Sequence, residues 1–250
     1  MIGLGSYSFF WAHRHGLSLE GALQRTHDLG VGVFQVCDFA PIDSMTDDEL
    51  RAVKRTAESF GIDLELGTRG LETAHLRRYL EIAGILGAPL LRSMVTTTAV
   101  EAERLLDAIA PNLGDVTLAL ETYERIPTPE LVALVAGAAD PRIGICLDPA
   151  NTVAILENPR DVIDASKPYV RNIHVKDFAF SREEGWVGFT LAGCPLGEGL
   201  LDLEHLMTAA TPQTNRIIEH WLPWQGDAET TVSLETDWTA RNLEYLRSNA

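Results

Sequence analysis

One regularity constrains this chain more than any other. Short apolar runs of strand length alternate with segments of helical periodicity eight times along 250 residues. The runs are Ile2–Phe9, Val33–Phe39, Ile62–Gly67, Leu90–Val95, Val116–Glu121, Arg142–Asp148, Val170–Asp177 and Arg216–Glu219. Between them the spacing predicts a helix after the N-cap Ser18 up to Gly30 and another from Asp47 to the Phe60-Gly61 stop. Further helices are predicted at Thr73–Leu86, Ala99–Ile109, Pro129–Ala138, Pro159–Ser166, Leu203–Ala210 and from about Trp238. The runs are β-branched and nearly continuous, as in strands buried on both faces of a parallel sheet. Units of roughly thirty residues repeated eight times match a (β/α)8 TIM barrel. No linker rich in Pro, Gly or Ser interrupts them, so one domain over residues 1–250 is expected. An open doubly wound sheet would carry a glycine-rich phosphate turn after its first strand, and Gly3-Leu-Gly5 lacks the third glycine.

Charge narrows the partners. Lys and Arg total 20 against 36 Asp and Glu, a formal net charge of −16, which repels phosphate backbones and anionic membranes and argues against nucleic acid. Cys37, Cys146 and Cys194 are far apart and odd in number, with no zinc spacing, which fits a reduced cytoplasmic compartment. No apolar run approaches membrane-spanning length. Formation of a homo-oligomer stays open.

Four residues stand at the ends of four successive predicted strands: Glu121, Asp148, His174 and Glu219. A barrel places such positions on one rim. Singly, each carboxylate reads equally well as a helix cap or surface charge, and His174 as a core histidine. Together on one rim they would repel one another without a cation. Three carboxylates and an imidazole suit a divalent metal, Mn2+, Mg2+, Co2+ or Zn2+, and the set alone does not fix which. Arg69 and Arg92, at or after strand ends, either bind substrate or pair with a nearby carboxylate. Lys176 and His220 lie beside proposed ligands; strict alternation is expected to turn both away, a rule that relaxes at a strand end. Two long connections, Ala179–Leu201 and Leu222–Asp237, should cover the rim, with Trp186 lining the pocket and Trp186–Leu196 acting as a lid.

At these residues the sequence resembles the xylose isomerase-like TIM barrel superfamily, in the branch of sugar phosphate isomerases and epimerases. The resemblance is carried by Ala119-Leu-Glu121-Thr, Cys146-Leu-Asp148-Pro-Ala-Asn151, Asn172-Ile-His174-Val-Lys-Asp177, Pro195-Leu-Gly-Glu-Gly199 and Ile217-Ile-Glu219-His-Trp221. It implies metal ligands at Glu121, Asp148, His174 and Glu219, with Glu121 and Glu219 as the acid/base pair. Asn151, Lys176, Arg69, Arg92, Trp186 and His220 are then the expected substrate contacts. Asn151 stands where ketose 3-epimerases carry a histidine, and the extra histidines of the endonuclease IV relatives are missing from that segment. Gly67-Thr-Arg-Gly70 and the Trp186–Gly199 loop look most like members that handle oxidised sugar acids. The implied function is a metal-dependent isomerase or epimerase of a small keto-sugar or sugar acid, working through an enediolate. Its alternative is a metal-dependent decarboxylase of a 3-oxo sugar acid, with Arg69 or Arg92 facing the leaving carboxylate. A non-catalytic metal-binding barrel is a third reading.

Overall fold

The computed structural model describes residues 1–249, with the backbone alone for Ala40 and Trp186. Eight parallel strands close into a barrel: β1 (Ile2–Gly5), β2 (Val33–Cys37), β3 (Asp63–Arg69), β4 (Leu90–Met94), β5 (Thr117–Glu121), β6 (Ile143–Leu147), β7 (Val170–Val175) and β10 (Asn215–Ile218), with β10 pairing back to β1. Two further strands, β8 (Asp177–Arg182) and β9 (Phe189–Cys194), form an antiparallel hairpin outside the barrel. The expected (β/α)8 architecture is therefore the observed one.

The helices form where local signals ask for them. Ser18 caps α2 (Leu19–Asp28) by accepting from the Gly21 N–H. Thr46 and Glu49 make a reciprocal capping box at the start of α3 (Asp47–Ser59). Thr98 and Asn158 cap α5 (Ala99–Ile109) and α7 (Pro159–Ser166) by accepting the N–H groups of Glu101 and Arg160. With α4 (Thr73–Leu86) and α6 (Thr128–Ala138) they bury their apolar faces on the outer side of the strands, against Leu4, Phe34, Leu66, Leu91, Leu118, Ile145, Ile173 and Ile218 in one continuous core. The strands' other face turns into the barrel, and it is polar. Gln35, Glu65, Arg92, Asn172 and His174 are each at most 3% exposed.

Three local expectations give way. The first strand ends at Gly5, and Ser6–Phe9 is a 3-10 turn. Two serines cause this: Ser6 Oγ takes the Cys37 N–H at 3.1 Å, and Ser8 Oγ donates to the Ile218 carbonyl at 2.6 Å, pulling the chain across the rim. The connection after β10 is shorter than expected, because the helix that follows the short α8 (Leu203–Met207) in chain order, α9 (Ala228–Asn249), starts at Ala228 rather than near Trp238. Its Glu235 carboxylate accepts the N–H groups of Trp11 and Ala12, docking the helix across the end of β1. The long Ala179–Leu201 segment is mostly the β8–β9 hairpin, followed by a turn knotted on Asp177. That carboxylate accepts backbone N–H groups from Phe178, Gly197, Gly199 and Leu201 at 2.8–3.0 Å. A Cβ at Gly199 would lie 2.2 Å from Asp177 Oδ1, so this turn requires glycine there.

Candidate metal centre

Period-two alternation carries Glu121, Asp148, His174 and Glu219 inward from the ends of β5, β6, β7 and β10. His174 Nδ1 lies 3.3 Å from Glu121 Oε1, 3.4 Å from Glu219 Oε1 and 3.7 Å from Asp148 Oδ2. All four residues are at most 3% exposed. Among the described residues His174 Nδ1, Glu219 Oε1 and Asp148 Oδ1 lack a hydrogen-bond partner, while Glu121 Oε2 and Asp148 Oδ2 are met by Arg92 and Lys176. Buried polar atoms without partners cost about 1–3 kcal/mol each, and several converging on one point describe a cradle for a cation. Glu121, Asp148 and His174 offer ligand atoms within 4.8 Å of one another, as do Cys37, His174 and Glu219. Cys37 was not foreseen at the site. Its thiol donates to Gln35 Oε1, and burial holds its pKa well above the ordinary value.

Two of the protein's own cations enter the cluster. Arg92 is fully buried, with Nε 3.1 Å from Glu121 Oε2, NH1 donating to the Thr68 carbonyl at 3.0 Å and NH2 3.6 Å from Asp38. Lys176 Nζ is 2.6 Å from Asp148 and 3.2 Å from Glu219, beneath the Trp221 ring at 4.6 Å. Burial disfavours charge on every group here, but opposite charges outweigh it. Arg92, His174 and Lys176 hold Glu121 down to about 2. Asp148, Glu219 and Glu121 keep the Lys176 ammonium charged, and Cys146, Glu219 and Glu121 drive His174 well above its ordinary value. An imidazole pushed toward protonation by the carboxylates around it marks the position where a metal ion would relieve the same repulsion.

The structure sorts the remaining expected contacts. Lys176, an expected substrate contact that strict alternation beside a ligand would have turned away, faces the cluster: it lies two residues beyond His174, on the same face of the strand. Asn151 is buried, and its amide donates to Glu121 Oε1 at 3.0 Å and the Thr122 carbonyl at 3.2 Å, so it orients Glu121. Arg69 is half exposed and forks onto Asp38 at 2.8 and 3.1 Å, with a further bond to the Tyr7 hydroxyl. His220 is corrected. One residue past Glu219, it faces outward, contacting Thr239 Oγ1 at 3.0 Å and the Asn242 amide at 3.2 Å, and burial lowers its pKa to about 4. The Trp186 side chain lies outside the described residues. Asp38 escaped the sequence reading because it was counted inside a strand; it turns the chain at φ +49°, left-handed for a non-glycine residue, and bridges Arg69, Arg92 and Tyr7. Over the cluster opens a cleft of about 260 Å3, walled by Tyr7, Arg69, Met94, Tyr123 and Trp221. The hairpin is tied to that wall through the Gly193 N–H on the Trp221 carbonyl.

The closed parallel barrel is that of a known family: residues 23–248 match the one described as xylose isomerase-like TIM barrel. The chain belongs to that family. It is 45% identical over 98% of its length to 3-oxo-isoapionate decarboxylase of Pectobacterium atrosepticum, covering 94% of that enzyme. Among solved structures it superposes on D-psicose 3-epimerase of Clostridium cellulolyticum H10 with a TM-score of 0.77, at 12% identity over 99% of this chain and 98% of that one. A magnesium complex of a xylose isomerase-like barrel from Mycobacterium smegmatis gives a TM-score of 0.67, at 12% identity over 90% and 88% of the two chains. No helix among the described residues is long and apolar enough to cross a membrane.

Proposed function

We propose that this chain is a divalent-metal-dependent decarboxylase of a 3-oxo sugar acid. The observation that carries the reading is the 45% identity, across nearly the whole of both chains, to an enzyme named for that reaction. It moves decarboxylation ahead of isomerisation, which the sequence motifs alone put first. Charge at the site supports it. With His174 neutral, as a ligand must be, three carboxylates against Arg92 and Lys176 leave one negative charge, and Asp38 pairs with Arg69. A divalent cation reverses the sign of the cluster, which then favours an anionic substrate over a neutral ketose.

Glu121, Asp148, His174 and Glu219 would hold the cation; Mn2+ is the first choice on ligand hardness, with Mg2+, Co2+ and Zn2+ open. Bound there, it would supply Lewis-acid stabilisation of the oxyanion that develops as CO2 departs. In a 3-oxo acid the bond between C1 and C2 breaks and its electron pair passes to the C3 carbonyl, after which C2 takes a proton. Arg69, the half-exposed guanidinium at the cleft wall, is suited to receive the carboxylate; Arg92 is buried and occupied with Glu121. The proton that C2 takes would come from the Lys176 ammonium, 3.2 Å from Glu219, with the Glu219 carboxylate relaying it to the carbon. Asn151 and Arg92 keep the Glu121 carboxylate ionised and fixed in direction.

A second reading, isomerase or epimerase of a keto-sugar, draws on the paired Glu121 and Glu219 on either side of His174. One experiment separates the two. The Mn2+-loaded protein is offered 3-oxo-isoapionate and a panel of neutral ketoses in heavy water, with CO2 release and deuterium uptake followed together. Stoichiometric CO2 from the acid supports the decarboxylase; deuterium exchange into a ketose without CO2 from any acid overturns it.

A further inference from the structure

Below the metal centre the barrel is filled by a chain of polar side chains with a defined direction. Glu65 on β3 is 3% exposed, and its two oxygens accept three amide donors. Gln35 Nε2 reaches Oε2 at 2.9 Å, Asn172 Nδ2 reaches the same oxygen at 2.9 Å, and Asn215 Nδ2 reaches Oε1 at 2.7 Å. An ionised carboxylate only accepts, so each amide must turn its NH2 toward Glu65 and its oxygen away. The outward oxygens then fall on donors. Asn215 Oδ1 accepts from the N-terminal ammonium at 3.1 Å, and Asn172 Oδ1 from Gln35 Nε2 at 3.1 Å. Gln35 Oε1 accepts the Cys37 thiol and lies 2.7 Å from His174 Nε2. A carbonyl oxygen facing that nitrogen requires it to carry the hydrogen, which makes Nδ1, the nitrogen facing Glu121, Asp148 and Glu219, the one that yields its proton to a cation.

We propose that Glu65 is a positioning residue for the metal centre: through Gln35 it fixes the His174 tautomer that presents Nδ1 to the cation. This rests on reading the four-residue cluster as a metal site. A floor whose only task was packing would not need its dipoles aligned, yet every amide orientation follows from one acceptor two links away from the ligand. Nothing in this chain of bonds touches substrate, so Glu65 acts through Gln35 and His174 alone. Carboxylates and amides behind metal-bound histidines typically change metal affinity by 10–100-fold when removed.

The test uses Mn2+ alone as probe, by titration calorimetry, on wild type, E65M and E65M/Q35E. In E65M the Asn172 amide loses the acceptor that orients it, so Gln35 keeps only a partner that can itself turn and the weak Cys37 thiol donor, and its NH2 can swing toward His174; Mn2+ binding should weaken at least tenfold. In E65M/Q35E, residue 35 accepts on both oxygens and needs no orienting partner, so affinity should return to within about threefold of wild type. A second readout separates orientation from simple loss of negative charge. With 15N-histidine label and Mg2+ bound, the His174 ring should be protonated at Nε2 in wild type and in the double variant, and show mixed or exchange-broadened tautomers in E65M. Wild-type Mn2+ affinity in E65M overturns the proposal, and so does weaker binding with the Nε2 signature intact, which would be Coulombic. Should E65M fail to fold, the isosteric exchange E65Q/Q35E carries the test; a tenfold loss of Mn2+ affinity there overturns the proposal, and wild-type affinity supports it. Wild type that binds no Mn2+ would remove the metal centre itself, and the proposal with it.

Discussion

Arg92 is where the electrostatics of this barrel are most exposed to test. Its guanidinium is wholly buried, 3.1 Å from Glu121. Arg92→Met keeps apolar bulk but strands a buried carboxylate, which costs about 3–5 kcal/mol when one partner of such a pair is removed. The Glu121 titration gives a comparable figure. The group sits at about 2 against an ordinary 4.5, and at about 1.4 kcal/mol per pH unit this corresponds to roughly 3 kcal/mol, shared among Arg92, His174 and Lys176. For a chain of this length that lowers Tm by roughly 6–12 °C. Denaturant melts in EDTA at pH 7 measure it. The lowered pKa fixes the sign: the stabilisation is complete above 4.5 and fades as pH falls toward 2, so the gap between wild type and variant narrows through that window. R92M/E121Q should recover more than half of the loss, because the double variant leaves no unpaired charge at that contact. A deficit below about 1 kcal/mol, or one that E121Q leaves unchanged, would refute the ion-pair account.

Other consequences are open to simpler assays. Chelation should abolish turnover, and Mn2+, Co2+ or Mg2+ should restore it; full activity in metal-free protein would contradict the ligand set. Glu219→Gln should cut turnover by about 100-fold or more while Mn2+ still binds, whereas loss of the metal alone would make Glu219 a ligand only. Arg69→Met should weaken keto-acid substrates by about 1.5–3 kcal/mol with little change in Tm, since its side chain is half exposed; equal weakening of neutral ketoses would remove its assignment to the carboxylate. The β8–β9 hairpin carries Phe180, Val187 and Phe189 largely exposed, and metal plus substrate should protect it from limited proteolysis if it closes over the cleft; identical cleavage in both states would mark it as static.

What the sequence disclosed and what it hid follow from one geometric fact. Runs such as Ile143-Gly-Ile-Cys-Leu147 declare a buried strand, and the ligands at strand ends follow from that, because both depend only on local pattern. Ser6–Phe9 was misplaced because two serine side chains bond to strands 29 and 210 positions away, and no local signal records such partners. Lys176 and His220 were decided by a single step of alternation: two residues past His174 faces the cluster, one residue past Glu219 faces α9. The polar floor was the least legible part. In Val33-Phe-Gln-Val-Cys37 and Asp63-Leu-Glu-Leu-Gly67 the polar Gln35 and Glu65 interrupt runs whose pattern reads as buried strand, and nothing local says where their face points. Only closure turns that face inward, where water is excluded and each polar atom must find its partner on another strand. Gln35 meets His174 across 139 positions and Glu65 meets Asn215 across 150. Such pairings are set by the relative register of strands around the ring, and a shift of one strand by one residue would replace the polar contact with an apolar side chain from its other face. The floor therefore specifies register as well as ligand orientation: in this barrel, the same Glu65 contacts that hold Gln35 toward His174 would be lost in any mispaired closure.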